Sequence, residues 1–112
     1  MKTEVFPVWL NELETSEKEL KRRNYKKCEY HIGRAHILSQ KSILLHLSVH
    51  LVMFIYSWRN RNYKEMRGQV LRFLVVIPGH ILGKVPRGNT GWSSVGLMEV
   101  MDVPKEFEKY LE

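Results

Sequence analysis

Apolar residues recur at three- and four-residue spacing through most of the chain, and polar or Pro-Gly breaks divide that pattern into helical segments. The first helix is expected from about Pro7, a favourable first-turn residue, to Arg23. A competing start lies at Ser16, whose hydroxyl can form a capping box with Glu19. Asn24 marks the turn. A second helix should follow over about Tyr25 to Ser39, with Cys28, Ile32, Ala35 and His36 on one stripe and Gly33 permitting close packing. Ser42 suits the N-cap of a third helix reaching Arg59 or Asn60, and because that helix is apolar almost all round it is expected at the centre. The fourth helix should begin near Tyr63 and carry Met66, Val70, Phe73 and Leu74 inward, until Pro78-Gly79 ends or kinks it and Gly83 caps it before Pro86.

Asn24-Tyr25-Lys26-Lys27 is matched by Asn62-Tyr63-Lys64-Glu65 thirty-eight positions later, and the match continues with Ile32 and Val70, Arg34 and Arg72, and Leu13 and Leu51. A period of that length suits tetratricopeptide-like helical hairpins, although the identities are few and that family's consensus is not met. The fold class expected is therefore all-α, with hairpin one over about 7–40 and hairpin two over about 42–84 in a single domain spanning 1–112. Two such units expose their end faces, so something must cap them. Residues 85–103 change to Gly, Asn, Ser and Pro interspersed with Trp92, Val95, Leu97, Met98 and Val100, too apolar for a free tail. They are expected to cover the exposed face of the second hairpin, ahead of a short final helix from Pro104 to Leu111.

Composition narrows the class. A chain of 112 residues with 44% hydrophobic and 27% charged residues can bury one core and is far from the signature of disorder. The single cysteine, Cys28, cannot close an internal disulfide, and no signal-peptide pattern opens the chain, so a cytoplasmic location is expected. The longest apolar run, 43–56, is interrupted by His46, Ser48 and His50 and is too short for a membrane span. Net charge of +6 is partly clustered in Lys18, Lys21, Arg22, Arg23, Lys26 and Lys27, which reads first as a solvated face. Nucleic-acid binding is disfavoured, since no recognition fingerprint accompanies the charge.

Candidate chemistry lies in the histidines. Four of the five, His31, His36, His46 and His50, sit within twenty residues of one another on two helices that must pack as antiparallel neighbours. His46 and His50 are four apart and point the same way, whereas His31 and His36 are separated by about 140° and cannot both face one partner. His36 shares the inward stripe and is the better ligand. Glu29 is a reserve ligand or an acceptor orienting an imidazole, and His80 can reach the cluster if the fourth helix runs back along the third. Three imidazoles with an open position suit an exchangeable divalent transition metal, zinc or iron first, with nickel, cobalt or copper also compatible. The competing reading leaves the histidines as hydrogen-bonded core residues. No His-Glu-x-x-His and no Glu-x-x-His pair is present.

The loop containing Arg87, Gly88, Asn89, Thr90 and Gly91 has the residue types of an anion nest for a small anionic ligand, but lacks the flanking strand and helix of a P-loop. Cys28, on the apolar stripe, reads as packing, and no serine or cysteine triad is supported.

Arg34-Ala35-His36-Ile37-Leu38-Ser39-Gln40, the His46 and His50 pair, Gly68-Gln69-Val70-Leu71-Arg72 and Val85-Pro86-x-Gly88-Asn89-Thr90-Gly91 occur here in that order. In this combination the chain resembles a small bacterial family of helical proteins known only as a domain of unknown function, over roughly residues 20–95. The resemblance implies histidines at the positions of His31, His36, His46 and His50 and implies no reaction. Ser39, Trp92 and His80 depart from its pattern.

Two functions from different classes follow. One is a transition-metal protein for metal handling or metal-assisted catalysis. The other is a tetratricopeptide-like module that binds a protein partner, or a second copy of itself, and keeps its histidines as structural residues. A weaker third is an anion or nucleic-acid binder using the cationic segment between the first two helices. Whether the protein is an enzyme is left open by these residues.

Overall fold

The computed structural model describes residues 4–112; Met1 to Thr3, the first residues of the expected domain, lie outside the described residues. Four α-helices are followed by an irregular segment and a 3-10 helix: α1 Phe6–Lys21, α2 Tyr25–Leu38, α3 Ile43–Arg59, α4 Tyr63–Ile81 and η1 Lys105–Tyr110. The fold is all-α, and the helices pack as two hairpins, α1 with α2 and α3 with α4, with sparser contact between α2 and α3.

The two hairpin turns are built alike. Arg23 and Arg61 both take left-handed backbone, φ 60° and 54°. Asn24 N–H donates to the Glu19 carbonyl and Asn62 N–H to the Ser57 carbonyl, while Arg23 and Arg61 donate to Leu20 and Trp58. Every partner in the second turn stands thirty-eight positions after its counterpart, so the repeat in the sequence is a repeat of helix C-caps of the Schellman kind. Ser42 caps α3, its hydroxyl accepting from Leu45 N–H at 3.2 Å. Ser16 starts no helix. It lies inside α1, with its hydroxyl donating to the Leu13 carbonyl at 2.6 Å.

The core joins Trp9 of α1, Cys28, Ile32, Ala35 and Leu38 of α2, Val49, Met53 and Tyr56 of α3, and Phe107 and Leu111 of the C-terminal segment. Burial pushes the Cys28 thiol up to about 11, with Glu29 and Glu19 adding to the shift, which fits inert packing.

Four sequence expectations need correction. The third helix is not buried all round, since Leu44, Leu51, Ile55 and Trp58 are exposed. In α4 the inward residues are Gln69, Arg72 and Val76, whereas Val70, Phe73 and Leu74 face outward. Pro78 does not end that helix, which continues to Ile81 before Gly83 takes φ 68°. Finally, the segment after α4 does not cover the outer face of the second hairpin. It crosses between α4 and α2, with Arg72 donating to the Val95 carbonyl and Trp92 Nε1 to the Glu29 carbonyl, before η1 docks beside Arg34. Buried carbonyls and imidazoles on that inner side need partners, and the segment supplies them.

Left-handed backbone at a residue with a Cβ is unfavourable by about 1–2 kcal/mol, more than the extra unfolded-chain freedom of glycine. Arg23→Gly and Arg61→Gly are each expected to stabilise the protein by about 0.5–1 kcal/mol in urea unfolding. Loss of stability in either would contradict the equivalence of the two turns.

Candidate metal centre

Three histidines from two helices meet beneath the irregular segment. His36 stands in the last turn of α2, while His46 and His50 stand one turn apart on the inner face of α3. All three are buried, and their ligand atoms lie within 4.8 Å of one another. His36 Nε2 is 3.0 Å from His46 Nε2 and 3.1 Å from His50 Nε2. Nitrogens bound tetrahedrally to one zinc ion at 2.0–2.1 Å stand about 3.3–3.4 Å apart, so a small outward shift would admit the ion.

The outer nitrogens decide where the ring protons are. His36 Nδ1 is 2.6 Å from the Asn89 carbonyl, which can only accept, so the proton of the neutral ring is on Nδ1. His50 Nδ1 is 2.6 Å from Gln69 Oε1. The Gln69 amide cannot be reversed, because its Nε2 already donates to Glu65 Oε2 at 2.8 Å and to the Gly91 carbonyl at 3.0 Å. His50 therefore also carries its proton on Nδ1. Both Nε2 atoms are bare lone pairs facing each other at 3.1 Å, and a ring proton from His46 can satisfy only one of them. His46 Nδ1 in turn lies 2.9 Å from Nε2 of His80, near the end of α4.

Protonating these rings is no remedy. His36 is held well below its ordinary value, chiefly by burial and then by His50 and His46. Burial, helped by His50 and His80, brings His46 to about 3, and burial brings His50 to about 4 despite the Gln69 hydrogen bond. Burial lowers His80 as well. The arrangement is thus three neutral, converging donors, the form in which imidazole binds a cation.

The roof is shaped to the cluster. Gly91 has φ 86°, and a Cβ there would stand 2.5 Å from His36 Cδ2, so backbone conformation and space both require glycine. A cavity of about 280 Å³ adjoins the three histidines, with Val76, Leu82, Val85, Leu97 and Met98 among its walls.

Of the residues singled out in the sequence, the structure brings His36, His46, His50 and His80 together. His31 is placed elsewhere: its Nδ1 is 2.7 Å from Glu12 Oε1, tying α2 to α1, because its position on α2 is turned away from the inward stripe. Glu29 does not touch the cluster either, as its carboxylate accepts from the Tyr56 hydroxyl at 2.7 Å. The expected anion loop is used differently. Asn89 Oδ1 accepts from Gly91 N–H, Asn89 Nδ2 donates to the Gly96 and Glu99 carbonyls, and the Asn89 carbonyl accepts from His36, so this loop is turned inward as the roof. The residue that sequence reading missed is Gln69. Its signal is the polar stripe Glu65, Gln69, Arg72 and His80 at four-, three- and eight-residue spacing along one side of α4.

The sequence pattern of one protein family matches residues 4–111 of this chain, nearly all of it. The chain belongs to the DUF3703 family. That family is described as a protein of unknown function, so membership carries no reaction to this member. No curated protein and no solved structure matches this DUF3703 chain.

The metal-free protein should lose stability in acid. Below the ordinary histidine value near 6.5 the unfolded chain takes up protons that the buried rings refuse, so stability falls with pH until the folded rings themselves titrate near 4 and 3. Urea unfolding of chelator-treated protein should lose on the order of several kcal/mol between pH 6.5 and pH 4. A His46→Gln/His50→Gln variant should show a flatter profile, and equal slopes for the two proteins would contradict the assignment.

Proposed function

We propose that this protein binds one divalent transition-metal ion through Nε2 of His36, His46 and His50, for metal handling or metal-assisted catalysis. The observation that carries the reading is the pair of bare Nε2 atoms of His36 and His50 at 3.1 Å, fixed by acceptors on both outer nitrogens. Histidines serving only as core hydrogen-bonding residues would place a donor against an acceptor there. A cation satisfies all three lone pairs at once.

Three neutral nitrogen ligands leave an exchangeable position, and zinc suits that set best; iron, cobalt, nickel and copper are compatible with the same donors. Gln69, the Asn89 carbonyl and His80 act on the ligands' outer nitrogens, orienting each ring and increasing its basicity. The adjoining cavity of about 280 Å³ gives a small molecule room to reach the ion's fourth position. A position of this kind serves ion transfer to an incoming ligand or activation of a bound water. Among the described residues no helix is long and apolar enough to cross a membrane. A cytoplasmic setting goes with the reading, since the only cysteine is a buried thiol that needs no oxidising compartment.

Elemental analysis of untagged protein purified without chelator or nickel resin tests the proposal. About one equivalent of metal is expected in the parent and in His31→Ala, and none in a His46→Ala/His50→Ala variant that keeps its helical circular dichroism. Gln69→Ala should retain the site with affinity weakened about 10–100-fold. Cobalt(II) should give the absorption of a tetrahedral complex. A parent that takes up no zinc, iron, cobalt, nickel or copper on incubation would refute the reading.

A further inference from the structure

The outer face of the second hairpin is apolar and uncovered. At 100° per residue, Leu44, Leu51, Ile55 and Trp58 of α3 fall within about 60° of one another, opposite the buried His46, Val49, His50 and Met53. Tyr63, Val70, Leu74, Ile77 and Ile81 of α4 occupy an equally narrow stripe, opposite Gln69, Arg72 and Val76. Both inner faces converge on the histidine cluster, through His46 to His80 and His50 to Gln69, so both apolar stripes lie on the same outer side.

The spacing is that of a seam. Successive members are seven, four and three residues apart on α3 and seven, four, three and four apart on α4, the a and d positions of packed helices. The nine side chains are 41% to 75% exposed and offer on the order of 800 Å² of apolar surface per copy. A monomer's largest apolar patch is typically about 300–600 Å², whereas one side of a stable interface buries about 800 Å². No charged residue lies between Leu44 and Trp58, so two copies of this face meet without repulsion along α3.

We propose that this face is a homodimer interface, in which α3 and α4 of one copy pack on α3 and α4 of a second to form a four-helix bundle. A two-fold axis sets each stripe against the same stripe of the partner, and matched seam spacing on the two helices makes the face complementary to itself. The segment 85–103, which would otherwise cap this hairpin, is occupied on the inner side, so the second copy supplies the cap. The histidines take no part in the interface, so the dimer stands or falls independently of the metal.

Sedimentation equilibrium of the full chain from about 5 to 100 μM tests this. The expected mass is twice the 13.3 kDa of one copy, and Leu51→Glu/Leu74→Glu should weaken association by at least about a hundredfold while retaining helical circular dichroism and the parent's metal content. Leu10→Glu, on an exposed position of α1, should leave the dimer intact. Should the first pair unfold, Leu44→Glu/Ile81→Glu, at sites 74% and 75% exposed, makes the same test with less risk to packing. A monomeric parent across the range would overturn the proposal, including one that instead binds vesicles of phosphatidylcholine and phosphatidylglycerol. So would a dimer that survives both charged pairs.

Discussion

The hydrogen bond from His36 Nδ1 to the Asn89 carbonyl, 2.6 Å long, is the contact on which the inner side of the molecule depends. It fixes the proton of a buried ring, turns the ring's other nitrogen toward His46 and His50, and anchors the segment after α4 across the helices. Gly91 then lies flat against that ring, and its carbonyl holds the Gln69 amide, which orients His50. Each link is a buried polar group whose loss would strand another, at roughly 1–3 kcal/mol apiece. Such a network rigidifies because no member can reorient alone.

The same network explains why α4 is arranged in the opposite sense from an ordinary surface helix. Glu65, Gln69, Arg72 and His80 are spent inward on Ser93, Gly91, Val95 and His46, and the apolar side chains are left outward. Desolvating so many polar groups is tolerable only where each finds a partner. The metal proposal and the dimer proposal therefore start from one arrangement: the polar residues of α4 hold the histidine cluster, and most of its apolar residues are left exposed.

Periodicity and caps made much of the fold legible beforehand. The Asn24 and Asn62 turns, the Ser42 cap, the all-α class and the two hairpins follow from local chemistry, since helix ends satisfy their own backbone groups from residues a few positions away. The convergence of His36, His46 and His50 was legible too, because four-residue spacing on α3 and a short connection between α2 and α3 restrict how the rings can meet. His31 and Glu29 were misplaced for a reason of the same kind: a helix rotation of some tens of degrees separates a ligand from a residue facing another helix. The separation of about 140° between His31 and His36 already set the two on different faces of α2; that His31 pairs with Glu12 of α1 depends on how α1 packs and lies outside what α2 alone dictates.

The amino-acid sequence by itself determined most of the helix boundaries, how the helices pair and which histidines share a face. These are short-range matters of capping, periodicity and connection length. Only the tertiary structure decided which side of α4 is buried, which carbonyls fix the imidazole protons and where the segment 85–103 lies. Those depend on groups far apart in the chain, as Asn89 is from His36 and Gly91 from Gln69, and on each buried polar atom finding one partner among several candidates. Hydrophobic pattern predicted α4 inside out because burial followed hydrogen-bond demand at the cluster rather than apolar area.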